Sequence, residues 1–586
     1  MNVPPLTELN ENSSWEMIQT ALKRSTKQRL GAAWCKSELH LTWGQPAVIV
    51  AAVNQVCDRL LSCTDLANCE TSADTANSIG SFADLAKQFS NETQGQQVSL
   101  ASALEGLCLA YHINHFADDS NCSEIVNTAL RDLQHDGPPT ALSIPNTGPE
   151  LLALQLSAIE YPLVILSQCF SDISQTRFQN VAIEITQRFE SLLNATTDGD
   201  GWIESSYFQQ FWQLTASWAR TFLLLEHLEI SVGEECRRQL EWVCRQFVRT
   251  MGPDGRQLLG PADQCVASIK FQEAMTNLSL DRADKKLLRL RDPNRESKKK
   301  DDINLTLFDE SGFSEWASSG VFQSGWGDSS PRIAITAHQS RLELEIAVQT
   351  SLIRGLSESK VCFNGKPLGY FHQEHEICCW HCDDGVEYVE FEFQLEQGAK
   401  LERQILLCRE DRFAIIADAV RFADSGEVEF EMRLPLSNGI SVLPETETRE
   451  VYLKDDQIRA LALPLALGEW KADGMGGSLG FDEGDLVLKQ SCRGRAIYAP
   501  LFIDLSPARS KRPRTWRHLT VAEERETLKN EDAVAFRIQI GKEQWLVYRS
   551  LNGSGNRTFM GENQICEFFL ARTDGDTEAD ELLQIE

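Results

Sequence analysis

The chain contains no run of eighteen uninterrupted apolar residues, which argues against a membrane-spanning helix. Its opening stretch, Met1 to Trp15, lacks a basic segment followed by an apolar one, so no secretory leader is expected. The 17 cysteines are scattered from Cys35 to Cys566, without the compact spacing of a disulfide scaffold. These absences predict a cytoplasmic protein whose thiols act mostly as small buried hydrophobes. Positive charge is also short: 56 Lys and Arg stand against 86 Asp and Glu, a formal net charge of −30. Such a field repels a phosphate backbone and excludes nucleic acid as a general partner. It admits a polyanionic sugar only where Arg and Lys reverse the potential locally. No repeat of twenty to fifty residues is legible, and nothing fixes an oligomeric state.

What is present is an ordinary globular composition, 42% hydrophobic and 24% charged. At 586 residues it exceeds what a single growing core supports, so two or more domains are expected. Residues 1–290 read as helical. Apolar residues recur at three- and four-residue spacings over 48–61, 100–110, 151–166, 178–193, 207–228 and 234–251. Breaks fall at Gly137-Pro138-Pro139, Asp198-Gly199-Asp200-Gly201 and Gly252-Pro253-Asp254-Gly255. Residues 291–302 carry almost no apolar side chains and form the predicted linker. Beyond them the period changes to two, as in Arg341–Val348, Val386–Phe393 and Val428–Leu434. That alternation predicts strands with Leu, Ile, Val and Phe on one face and acids on a wet one. With turn pairs such as Asn364-Gly365 and Asn552-Gly553, residues 303–586 predict a large antiparallel β-sandwich.

Three stretches go further. Asp198-Gly199-Asp200-Gly201-Trp202 leads through Glu204 into Tyr207, and the run from Arg249 to Asp263 holds a Pro-Asp-Gly loop. Ser319 to Asp328 and Leu401 to Asp418 fall in the β-rich half. In this order the chain resembles the heparinase II/III-like polysaccharide lyases, over roughly residues 100–430. The resemblance implies an incomplete (α/α) toroid followed by a β-sandwich. It also implies β-elimination on uronate-containing glycans and an acidic glycan or oligosaccharide as partner.

That chemistry needs a group to neutralise the uronate carboxylate, a base for the C5 proton and an acid for the leaving oxygen. The resemblance places Tyr207 and His338 in the proton transfers, with Glu204 beside them. Trp202, Arg341 and Arg256 become candidate substrate contacts. The bland alternatives stay open: a Tyr early in an amphipathic helix is a half-buried aromatic, and a lone His at a strand end serves packing. Several pieces of the family's reaction centre look missing or displaced, so a catalytically degenerate glycan- or protein-binding module is the alternative. A glycosidase would need two carboxylates across a cleft, for which Glu204 and Asp263 are conceivable.

The reaction requires no cofactor. One window, His372 to Asp384, is nevertheless dense in metal ligands. An uninterrupted strand would put His375, Cys379 and His381 on one face, where a structural Zn²⁺ completed by a distant residue is conceivable. The bland reading is a half-buried strand with core thiols and exposed imidazoles.

Overall fold

Ala182, Ile185, Phe189, Leu192 and Leu193 fall on one side of a 3.6-residue helix, and all are buried. In the computed structural model they belong to α2 (Gln179–Thr196), which follows α1 (Gly148–Gln155) and its π-helical extension Leu156–Glu160. A 3₁₀ turn, Ser205–Gln210, then runs into α3 (Phe211–His227), and α4 (Glu234–Thr250) follows. The ring of Trp212 stacks on Phe247 at 4.9 Å, and Phe211 meets the same ring edge-on at 5.8 Å, which locks α3 to α4. Every residue from Phe211 to Phe222 is buried, so α3 is a core helix whose polar side chains must find partners inside.

The chain forms two units, Met1–Asp302 and Ile303–Glu586. The described residues are 148–160, 163, 179–252, 255–261, 278, 285, 312–473, 476–553, 555–573 and 579–586. The helices expected over 48–61 and 100–110, the linker over 291–302, and Pro253, Asp254 and Asp263 lie outside them. Among the described residues no helix is long and apolar enough to cross a membrane.

The second unit is antiparallel throughout. Its strands begin with β1 (Gly312–Ser314), β2 (Ser319–Gln323), β3 (Arg332–His338), β4 (Arg341–Val348) and β5 (Thr350–Phe363). After β6 (Lys366–Leu368) come β7 (Tyr370–Cys382), β8 (Val386–Leu395), β9 (Lys400–Cys408) and the 23-residue β10 (Phe413–Pro435). β5 pairs with β4 over its first half, as far as Ser357, and with β10 over its second, from Glu358. Side chains of β1–β4 pack over the remainder of the sheet. The core between the two layers is built from residues such as Ile333, Leu344, Phe391, Ile405 and Ile416.

The other face of the central layer does not meet water. A five-stranded sheet carrying Trp516, Phe536, Trp545 and Leu570 packs there against Tyr388, Leu406, Phe413 and Phe502. The alternation read from the sequence therefore holds, but several acids expected on a wet face are enclosed. Glu390 is 4% and Glu402 5% exposed. Both are held by Arg549, at 2.5 Å and 2.6 Å, from the covering sheet. Tyr388 donates to Glu390, Gln404 donates to Tyr388 at 2.7 Å, and Tyr498 donates to Gln404 at 2.7 Å. Buried charges need such pairing, so acids and Arg549 together fix how the two layers meet.

Candidate functional site

On the helical unit, the candidates collect at a pair of turns. Asp198 accepts hydrogen bonds from the backbone N–H of Asp200 (3.0 Å) and Trp202 (2.8 Å), closing a narrow loop bridged by Thr197 and Ile203. Gly201 sits there at φ +84°, and a Cβ would lie 2.6 Å from the Trp242 carbonyl oxygen on α4. Only glycine satisfies both demands. The chain then passes Glu204 and enters the 3₁₀ turn that carries Tyr207.

The second turn is bridged by Met251 and Gln257, and it reaches the first through one side chain. Gln257 accepts from the Trp212 N–H at 2.8 Å and donates to the Phe208 carbonyl at 2.5 Å. It thus stabilises the junction of the 3₁₀ turn with α3. Arg256, one residue earlier, is exposed. The structure therefore brings Glu204, Tyr207 and the Arg256 turn to one end of the helical unit. Gln257, which holds them, was not singled out from sequence, because a Gln after an Arg in a loop gives no pattern to read.

Tyr207 is only 2% exposed. Burial first, and the Glu204 carboxylate second, raise its phenol above the ordinary range. Glu204 is partly buried and accepts from the Ser206 hydroxyl at 3.0 Å. Trp202, expected as a substrate contact, is likewise enclosed at 3% exposed, its ring packed inside the unit. Trp218 is fully buried.

A further polar cluster lies within this unit. Glu160, in the π-helical segment, is fully buried and accepts from Arg220, with one bond at 3.1 Å, and from Ser217. Gln155 donates to Thr221 at 3.0 Å. The sequence signal for it was faint: polar residues on a helix otherwise apolar all round.

On the β unit, the β3–β4 hairpin presents two candidates together. His338 and Arg341 are register partners across its turn, where Gln339 adopts φ +56°. Arg341 is exposed, and among the described residues it has no carboxylate partner. The hairpin is held from β7. The two ring nitrogens of His375 lie 2.7 Å from the Gln339 carbonyl and 3.0 Å from the Ser318 hydroxyl. Burial lowers the His375 pKa below its ordinary value, and the neighbouring His338 acts the same way, while the Gln339 contact opposes them. His375 therefore works as a neutral brace for the hairpin, and its ring rests edge-on against Phe391 at 5.7 Å.

The strand register separates the residues expected on one face. Ile377 pairs with Phe391 and Cys379 with Glu390, so Cys378 is an extra residue, a β-bulge. The bulge inverts the alternation. His375 shares the face of Phe393 and Phe391, whereas Cys379 and His381 share that of Glu390 and Tyr388. Burial and the surrounding glutamates push the Cys378 thiol up to about 12 and raise Cys379 as well. Among the described residues no three His, Cys, Asp or Glu side chains converge as a metal site.

No protein-family model and no curated protein matches the chain. Solved structures do match in fold. A heparinase III gene product gives a TM-score of 0.54 at 10% identity, covering 77% of this chain and 74% of that one. A mutant heparan sulfate lyase, HepC, from Pedobacter heparinus gives 0.53 at 9%, over 94% and 86%. A further heparinase III gives 0.51 at 11%, over 81% and 80%. The chain is thus similar in fold to polysaccharide lyases.

Proposed function

We propose that the chain is a cytoplasmic polysaccharide or oligosaccharide lyase that cleaves uronate-containing glycans by β-elimination, on an (α/α) toroid joined to a β-sandwich. The observation that carries this reading is the fold likeness to heparinase-type structures, which extends over up to 94% of the chain. In the reaction the C5 proton leaves, the C4–O4 bond breaks, a C4–C5 double bond forms and the departing oxygen gains a proton. The exposed guanidinium of Arg341 would neutralise the uronate carboxylate, which makes the C5 proton acidic. Tyr207 and His338 would carry the two proton transfers, with Glu204 setting the phenol's protonation and Arg256 contacting the substrate. No metal or cofactor is needed for these steps.

Because its pKa is raised, Tyr207 is protonated at neutral pH. As base it would give a rate that climbs into the alkaline range; as acid it would not. The test is a panel of uronate polymers and oligomers, read by the ultraviolet absorbance of an unsaturated uronate product. Tyr207→Phe and His338→Ala should each remove that product while leaving the far-ultraviolet circular dichroism unchanged. No product from folded wild-type protein across the panel and across pH would refute the reading.

The enclosure of Tyr207, 2% exposed, supports a second reading, a degenerate member of the fold that binds a glycan or a protein without turnover. Saturable glycan binding with no product would establish it.

A further inference from the structure

The β unit carries a groove that none of the candidate site residues above lines. It has two arms. One, of about 590 Å³, runs between the central-layer strand Asp485–Asp504 and the covering strands Arg514–Leu519 and Ala533–Ile540. The other, of about 610 Å³, continues along β10 and the end of β5. They meet at Gly476, Gln490 and Ser491, which line both. Each arm has the volume of a small-ligand site, and two arms in series suit an extended ligand better than a compact one.

The chemistry of the walls narrows the class. At the junction Gln490 donates to the Tyr498 carbonyl at 3.1 Å, which fixes its amide, while its Oε1 is buried with no hydrogen-bond partner. A buried acceptor of this kind calls for a donor such as a hydroxyl. His518 is exposed, and its ring is tilted 36° against Phe536 with centroids 5.2 Å apart, an aromatic platform on the groove wall. Partial desolvation lowers that imidazole's pKa below its ordinary value. Lys360, Lys489, Arg493 and Lys529 follow the groove, against three carboxylates; Lys360 and Lys489 pair with Glu431 at 3.5 Å and 3.1 Å, and Lys529 with Glu531 at 3.4 Å. Arg493 is exposed and among the described residues has no carboxylate partner.

We propose that this groove is a second carbohydrate site, holding an acidic oligosaccharide with a hydroxyl on Gln490, a pyranose face on His518 and carboxylates at Arg493 and Lys529. The acidic nature of the ligand rests on the lyase reading above; the platform and the open amide acceptor do not. Such a site would hold a long chain while another segment of it is cut.

The test uses the full-length chain carrying Tyr207→Phe, titrated calorimetrically with an unsulfated uronate–glucosamine hexasaccharide at low salt. Maltohexaose and a mixed peptide library serve as controls. Adding Arg493→Ala with Lys529→Ala should weaken hexasaccharide binding at least tenfold, and His518→Ala several-fold, with circular dichroism unchanged. Saturation-transfer NMR should show ring-proton contact to His518 that His518→Ala abolishes. Binding unaffected by these substitutions but lost in Arg341→Ala would overturn the second site, as would a groove that takes only peptide or no ligand. Binding sensitive to Arg493 and Lys529, in a wild-type protein that makes no unsaturated product, would sustain the groove and refute the lyase reading alone.

Discussion

Arg549→Met removes the one cation shared by Glu390 and Glu402. All three side chains are almost fully enclosed between the central layer and its covering sheet. Loss of one partner from a buried ion pair costs about 3–5 kcal/mol, since the remaining charge stays buried without compensation. Here two carboxylates remain and repel each other, though Arg421, 2.9 Å from Glu402, offsets part of that. A loss in the upper part of the range is expected at pH 7. Burial already raises the Glu402 pKa in the native protein, opposed by Arg549 and Arg421. A raised carboxyl binds protons in the folded state before it does in the unfolded one. Its favourable contribution is therefore complete below the unfolded value, about 4.3, and lost as pH rises through the folded one. Without Arg549 the folded Glu402 value rises further, so the deficit of the variant should shrink on acidification from pH 7 to pH 5. Adding Glu390→Gln and Glu402→Gln should restore much of the stability. Urea unfolding followed by the fluorescence of Trp516 and Trp545 reads both effects. A loss below about 1 kcal/mol at pH 7, or one that does not change with pH, would refute the account.

Gly201→Ala forces a Cβ into the α4 backbone at a left-handed φ. The combined cost of conformation and overpacking is roughly 2–5 kcal/mol, read as a lower urea midpoint for the helical unit. His375→Asn tests the brace. Because the folded pKa of His375 is lowered, its stabilisation is present above about pH 6.5 and lost as pH falls through the folded value, and the variant should lack that acid-side loss in a melting series. Gln257→Ala should free the 3₁₀ junction, costing about 1–3 kcal/mol and increasing amide exchange at Phe208 and Trp212. Elemental analysis of untagged protein should give the same zinc content for wild type and for Cys379→Ser with His381→Asn, since the bulge separates those residues from His375. A stoichiometric loss of zinc in that variant would contradict the face assignment.

Period and punctuation in the sequence were enough to place the helices Gln179–Thr196 and Glu234–Thr250 within three residues at each end, and to identify the strands beginning at Arg341 and Val386. Both signals are local: side chains repeat with the backbone, and Gly201 announces a turn wherever it stands. Three features were settled by tertiary structure. The acids of β8 and β9 look solvent-facing in one dimension, and only the covering sheet with Arg549 makes them interior. One extra residue, Cys378, decides which face His375 occupies, and an insertion is visible only against the strand it fails to pair with. The β3–β4 hairpin gains its brace from a strand more than thirty residues later. Chain alternation carries no record of such a partner, because a hydrogen bond between distant residues is set by where the sheets bring them.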